Sequence, residues 1–299
     1  MERQVETVGE ALQYCADQLE QSGVFFGHGC DNAWDEAVQL VLTVVELPLD
    51  ADEGVLSHPV NRQQQMRLDE LLTRRTEERA PLPYLLGRAF FAGLEFHCDE
   101  RAIIPRSPIG ELVRNAFQPW YAGPGPTRVL DLCCGGGAIG LATAHYFPAC
   151  HVDLADLDGT ALELAVENGE LLEVCERVEF FQSDLYRALG RRRYDLILSN
   201  PPYVDARDLS TMPREYHHEP ELALGSGADG LDVTRRILAG AAEHLEPHGL
   251  LVVEVGNSWE ALEAAYPDVP FTWLEFEHGG HGVFALTARE LREYSASLA

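Results

Sequence analysis

From residue 128 onward, short apolar runs alternate with helix-patterned segments, and that alternation leaves few folds open. The runs are "RVLDLCC", "CHVDLAD", "RVEFF", "YDLILSN", "GLLVVEV", "FTWLEF" and "GVFALT", and helical segments separate the first five. Strands that are apolar along their whole length are buried on both faces, and strands joined through helices run parallel. The expectation is an α/β fold: a mostly parallel, seven-stranded sheet covered by helices on both sides.

Residues 1–86 have a different texture. "VGEALQYCADQLEQSG" puts Val8, Leu12, Cys15 and Leu19 at helical spacing and ends near Gly23. "AWDEAVQLVLTVVEL" is a second helix stopped by Pro48, and "NRQQQMRLDELLTRRTEERAP" a third stopped at Pro81. "RAFFAGLEFHCD" and "RAIIPR" follow as short extended pieces, with Gly93 between aromatic residues. We expect a helical substrate-recognition domain over 1–86, a β hairpin linker over 87–106 and an α/β domain over 107–299. Ser107 as N-cap and Pro108 at the first helical position open that last part. "AGPGPT" at 122–127 is a turn-rich joint.

Composition narrows the function. The chain has 299 residues, enough for two domains, and a formal net charge of −27. All 22 basic residues are arginine, and there is no lysine. An acidic surface suits a strongly basic partner; equally, acid excess without lysine suits a salt-rich cytoplasm or a GC-rich genome. Either way it disfavours broad binding to nucleic-acid phosphate. The opening "MERQVETVGEAL" lacks the apolar core of a signal peptide. The longest apolar stretch is too short for a membrane span and carries Glu46. Seven cysteines without C-x-x-C spacing suggest neither a disulfide framework nor zinc, so the expected compartment is the cytoplasm. His217-His218 and His278-x-x-His281 complete no metal-ligand set and read as turn histidines. Arg191–Arg193 reads as a solvated turn.

The segment "VLDLCCGGGAIGLATAHYF" is a strand, a glycine turn and a helix. Gly135, Gly137 and Gly140 satisfy G-x-G-x-x-G, and Asp156 follows at the spacing of a ribose-binding acid. Glycines let the backbone approach a ligand, and a carboxylate accepts two hydroxyl hydrogen bonds. Asp131, just before the turn, would repel a pyrophosphate but suits a ligand with a positive end. Asp131, Cys133 to Gly137 and Asp156 together look like the S-adenosylmethionine site of the Rossmann-like methyltransferases. Asp184, in "QSDLY", falls where such enzymes contact the adenine amine.

The fourth strand ends abruptly in "LILSNPPYVD". Two prolines remove two backbone donors and stiffen an extended corner between Asn200 and Tyr203. In such a sheet that corner lies beside the cofactor. It suits transfer to a planar, poorly nucleophilic nitrogen. The Asn200 side-chain oxygen and the Pro201 carbonyl can hold two N–H groups while the lone pair faces the methyl carbon. Positive charge grows on the nitrogen, so these acceptors favour the transition state. Tyr203 offers a face for the planar group. Asn200 is thus placed to serve both cofactor and substrate.

Such a corner after a methyltransferase glycine loop resembles two families, DNA adenine methyltransferases and the protein-glutamine methyltransferases. The second matches more of the chain, through "PLPYLLGRAFFAGLEF", "AIIPRSPIGELV", "VLDLCCGGGAIG", "HEPELALGSGADGL" and "LVVEVGNSW". Within it, "PRSPIGE", "HEPEL", "VGNSW" and "HGGHGVF" resemble the branch that methylates a glutamine of large-subunit ribosomal protein three; the release-factor branch is the nearest alternative. The resemblance implies a Rossmann-like S-adenosylmethionine-dependent enzyme. It carries over Asp131, Gly135, Gly137 and Asp156 for the cofactor, and Asn200, Pro201 and Tyr203 for the substrate amide. Cys134 departs from the more usual Thr, and Asp158 is a second departure.

Overall fold

Side-chain caps set the first helices. α1 (Val8–Ser22) begins where the Thr7 hydroxyl accepts the Glu10 N–H at 3.3 Å, and ends at Gly23 with φ 64°. α2 (Ala33–Val44) begins at Asn32, whose side chain accepts from the Asp35 N–H. α3 (Arg62–Thr73) opens with a reciprocal capping box between Asn61 and Gln64. A π-helical turn, Arg74–Glu78, extends it, and the short α4 (Leu82–Leu86) follows. This computed structural model describes residues 5–121 and 125–298. The first four residues of the opening segment, Ala122 to Pro124 of the turn-rich joint, and Ala299 lie outside the described residues.

The chain divides into two units, Met1–Ala89 with Pro213–His218, and Phe90–Met212 with Glu219–Ala299. In the first, Leu12, Cys15, Leu19, Leu40, Val41, Leu68 and Leu71 share one apolar cluster. α2 ends before Pro48 because Glu46 takes a left-handed conformation (φ 59°) and the Leu47 N–H closes back on the Leu42 carbonyl at 2.9 Å. Arg75, on the π turn, is 2% exposed. It donates to both oxygens of Glu36, to Glu215 at 3.4 Å and to the Phe25 carbonyl at 2.7 Å. Glu215 also accepts the Phe25 N–H. These bonds place Pro213–His218, distant in sequence, within the helical unit.

β1 (Arg88–Phe91) and β2 (Leu94–His97) form a two-stranded sheet. The larger unit then runs α5 (Ile109–Arg114), β3 (Arg128–Leu132), α6 (Ala138–Tyr146), β4 (His151–Asp156), α7 (Gly159–Leu171), β5 (Val178–Gln182), β6 (Tyr194–Ser199), α8 (Ala206–Thr211), α9 (Asp232–His244), β7 (Leu245–Glu254), α10 (Trp259–Ala265), β8 (Thr272–Trp273), β9 (Val283–Thr287), α11 (Ala288–Glu293) and α12 (Ser295–Leu298). Among the described residues, seven strands form one sheet in the order β5-β4-β3-β6-β7-β9-β8. The first five are parallel and β9 is antiparallel to both its neighbours. This is the mostly parallel α/β sheet that the alternation predicts. Successive residues face opposite sides, so Val129, Val152, Leu196 and Val252 fill one apolar cluster while Leu130, Ile197, Leu251 and Leu286 fill another.

Three local expectations change. No helix joins β5 to β6; residues 183–193 are a run of turns. The Ser183 hydroxyl organises it, accepting the Ala188 N–H and donating to the Leu185 carbonyl. "FTWLEF" forms a strand only over Thr272–Trp273, at the sheet edge, with the Leu274 N–H donated to the Val283 carbonyl beyond it. α5 starts one residue later than its proline suggests, with the Ile109 N–H donated to the Ser107 hydroxyl.

Because Arg75 sits between two carboxylates that are also buried, its removal leaves uncompensated charge. We expect Arg75→Ala to destabilise the protein by about 3–5 kcal/mol, read from urea unfolding. A loss below about 1 kcal/mol would mean the pairing is energetically idle.

Candidate active site

Parallel register brings three loop starts to one level. Leu132 pairs with Ala155 on one side and Ser199 on the other. Cys133, Asp156 and Asn200 therefore leave the sheet side by side at its carboxyl edge, where ligands of open α/β sheets bind. A cleft of about 1110 Å³, counted out to its open mouth, lies there. Its walls include Cys133 to Gly136, Ala155 to Asp158, Ser183 to Leu185, Asn200 and Pro202. Ala102, Ile103, Arg106 and Ser107 contribute from the segment before α5, and Pro220, Leu222 and Ala223 from the segment after α8.

The glycine turn is pinned by carboxylates. Asp156 accepts the Gly135 N–H at 2.8 Å and the Asp158 N–H at 2.9 Å. Burial raises its carboxyl above the usual range, against those amides. Cys133 takes φ 56° to start the turn. Gly137 does not line the cleft. At φ 83°, a Cβ there would stand 2.9 Å from a Leu154 methyl and 3.1 Å from Ala165, so the position needs glycine for packing. Asp158 caps α7 by accepting from the Thr160 N–H, which explains that departure. Asp131 also stands outside the lining. One oxygen accepts the Gly140 N–H at 2.8 Å; the other is buried without a hydrogen bond. Burial pushes its carboxyl up to about 8. Asp184 borders the cleft with its carboxylate on Arg236 at 2.6 Å and Arg187 at 3.5 Å.

Of the corner residues, Asn200 and Pro202 line the cleft, whereas Pro201 is buried and Tyr203 half-buried outside the lining. The Asn200 amide donates to the Arg106 carbonyl at 3.2 Å, and its Oδ1 is buried with no hydrogen bond. The Tyr203 hydroxyl donates to Glu254 at 2.9 Å, and its ring lies over Gly256, where a Cβ would come within 2.6 Å of it. Glu254 also accepts from the Ser107 hydroxyl at 2.6 Å. Burial raises its carboxyl despite the two hydroxyls. Among the described residues, no group of three or more His, Cys, Asp or Glu is placed to hold a metal, and no helix is long and apolar enough to cross a membrane.

Residues 122–215 match the Methyltransferase small domain family. The chain is 44% identical over 289 residues to a ribosomal protein uL3 glutamine methyltransferase of Francisella tularensis, covering 96% of this chain and 92% of the relative. It is also 44% identical over 295 residues to the protein of that name in Xanthomonas campestris, covering 99% and 96%. The chain belongs to the ribosomal protein uL3 glutamine methyltransferase family. Among solved structures, a methyltransferase from Pyrococcus furiosus aligns over 76% of this chain and 99% of its own, at 17% identity and a TM-score of 0.48.

Residue-by-residue reading of the sequence did not place Arg106 or Arg236 in the cleft wall, or Glu254 behind it on Ser107 and Tyr203. The segments "AIIPRSPIGELV" and "HEPELALGSGADGL" stand out as motifs, but nothing local shows that they meet.

The Asp131 carboxyl generates a stability test. Unfolded, it titrates near 4; folded, it keeps its proton to about 8. Between those values the folded state binds more protons, so this contribution is complete below about pH 4 and is lost as pH rises towards 8. We expect the stability of wild type relative to Asp131→Asn to fall by up to about 1.4 kcal/mol per pH unit across that window. Urea midpoints of both proteins near pH 5 and pH 8 measure it; a constant difference would rule it out.

Proposed function

We propose that this protein transfers a methyl group from S-adenosylmethionine to the side-chain amide nitrogen of a glutamine in large-subunit ribosomal protein uL3, in the cytoplasm. The observation that carries the reading is Asn200 Oδ1, a buried acceptor without a hydrogen bond in the wall of the cleft beside the glycine turn. The uL3 target rests on the relatives that match nearly the whole chain.

The residues present fit the cofactor. Cys133 to Gly136 form a tight turn without bulky side chains and would cradle the methionine portion. Asp156, its remaining lone pairs free of the two amides it holds, would take the ribose hydroxyls. Asp131, with one buried oxygen lacking a hydrogen bond behind the turn, favours a positive rather than a negative group there. Ser183 to Leu185 and Leu157 would border the adenine, with Asp184 facing its amine. When bound, S-adenosylmethionine supplies a methyl carbon made electrophilic by its positive sulfur.

An amide nitrogen is a poor nucleophile because its lone pair is delocalised into the carbonyl. Asn200 Oδ1 accepts one of its N–H groups and the Pro201 carbonyl the other, which turns the lone pair towards the methyl carbon. Both acceptors bind the nitrogen more strongly as it gains positive charge. Tyr203, anchored through its hydroxyl on Glu254, gives the amide a flat neighbour. The excess proton leaves the nitrogen for water, so no side-chain base is needed. In this reading residues 1–86 are a helical part that grips the protein substrate, 87–106 a linker and 107–299 the catalytic part; Phe25 and Trp34 are exposed on the helical part. The net charge of −27 suits a basic ribosomal protein.

The test is labelled-methyl transfer to purified uL3, to a peptide release factor and to duplex DNA, with mass mapping of the product. We expect label on a uL3 glutamine alone, and Asn200→Ala to lower kcat by roughly 10²–10³. Label on the release factor or DNA instead would overturn the target; an Asn200→Ala rate equal to wild type would overturn the acceptor role.

A further inference from the structure

Which end of the Asn200 amide faces the cleft is decided outside the corner itself. We infer that Glu219 and Arg106 are positioning residues that fix the Asn200 side chain with its oxygen towards the substrate. The inference rests on the acceptor role proposed for Asn200.

Glu219 is 5% exposed, and both its oxygens are engaged by Arg106, at 2.5 and 2.6 Å. One oxygen also accepts the Ile104 N–H at 2.9 Å. The guanidinium in turn donates to the Ile104 carbonyl at 3.2 Å. A planar fork on a carboxylate is geometrically strict, so the backbone from Ile104 to Arg106 is clamped from both sides. The Arg106 carbonyl at the end of that clamp accepts the Asn200 Nδ2–H at 3.2 Å.

A carbonyl only accepts, so it can face only the NH₂ end of an amide. Turning Asn200 over would set oxygen against oxygen at Arg106 and present a donor to the donor N–H groups of a glutamine. With the clamp intact, Oδ1 is the end turned away from the Arg106 carbonyl, buried and without a hydrogen bond. Glu219 thus acts through three links, each a contact within the larger unit: carboxylate to guanidinium, guanidinium to backbone, and backbone carbonyl to amide.

A double-mutant cycle tests this, using Asn200→Ala, Glu219→Gln and their combination, with uL3 as acceptor and labelled S-adenosylmethionine. Circular dichroism and cofactor Kd accompany the kinetics. We expect Glu219→Gln to lower kcat roughly 10- to 100-fold with cofactor Kd within about twofold of wild type. In the Asn200→Ala background the same change should cost no more than about twofold, because the group it positions is gone. Arg106→Lys keeps the charge but breaks the fork; it goes through the same cycle and carries the test if Glu219→Gln fails to fold. Losses that multiply in the combined variant, or a single-variant kcat within about twofold of wild type while Asn200→Ala is crippled, would overturn the positioning role. A wild-type rate for Asn200→Ala would instead overturn the acceptor role on which it rests.

Discussion

Two carboxylates, Asp131 buried and Asp156 half-buried, hold the glycine turn, and the geometry of the cleft follows from them. Asp156, at the end of β4, takes the Gly135 N–H; Asp131, near the end of β3, takes the Gly140 N–H. Both strands are locked in parallel register, Asp131 opposite Leu154 and Leu132 opposite Ala155. The sheet therefore dictates where the turn lies. Buried backbone donors need partners, and leaving one without a partner costs about 1–3 kcal/mol. The turn gains these bonds only in one place.

The same edge disciplines the corner after β6. The Ser199 hydroxyl donates to the Leu132 carbonyl at 2.7 Å, tying the last residue of β6 to the last of β3. Asn200 is the next residue. Beyond it, the Tyr203 carbonyl accepts the Ser258 hydroxyl at 2.8 Å and the Tyr203 hydroxyl donates to Glu254. The corner is thus tied at its start by β3 and at its end by the last residue of β7 and the turn that follows it. Proline stiffness removes freedom between the two ties. A corner so fixed has little order left to lose, which is what preorganisation requires of the catalytic role proposed for it.

The sheet was legible because its signal is local: apolar runs of strand length, punctuated by helices and glycines. The order of the cleft loops was legible for the same reason, since the turn, the acid and the corner each follow a strand. What stayed hidden depends on pairing across distance. Arg106 and Glu219 lie 113 positions apart, and Arg75 and Glu215 lie 140 apart. No periodicity announces such partners. Gly137 and Asp131 fit a ligand-binding pattern in sequence; in space Gly137 also meets a packing demand against Leu154, and Asp131 also holds the Gly140 N–H from behind the turn. Asp158 resembled a departure until its bond to the Thr160 amide showed a helix cap. In each case a residue type is compatible with two jobs, and only its neighbours in space decide.

Those neighbours also sort the cleft by charge. Asp131 and Asn200 each bury an oxygen without a hydrogen bond, but the two oxygens ask for different partners. A buried carboxylate is driven to hold a proton unless positive charge stands near it, which is why Asp131 is pushed up to about 8. A cationic ligand at the turn favours its ionised form, whereas a phosphate would oppose it. An amide oxygen has no such demand and is satisfied by a neutral N–H. Under the proposed assignment, the glycine end of the cleft receives the positive charge and the corner an uncharged hydrogen-bond donor. A methyl donor with a positive sulfur and an ammonium group, set against a neutral carboxamide, satisfies both ends.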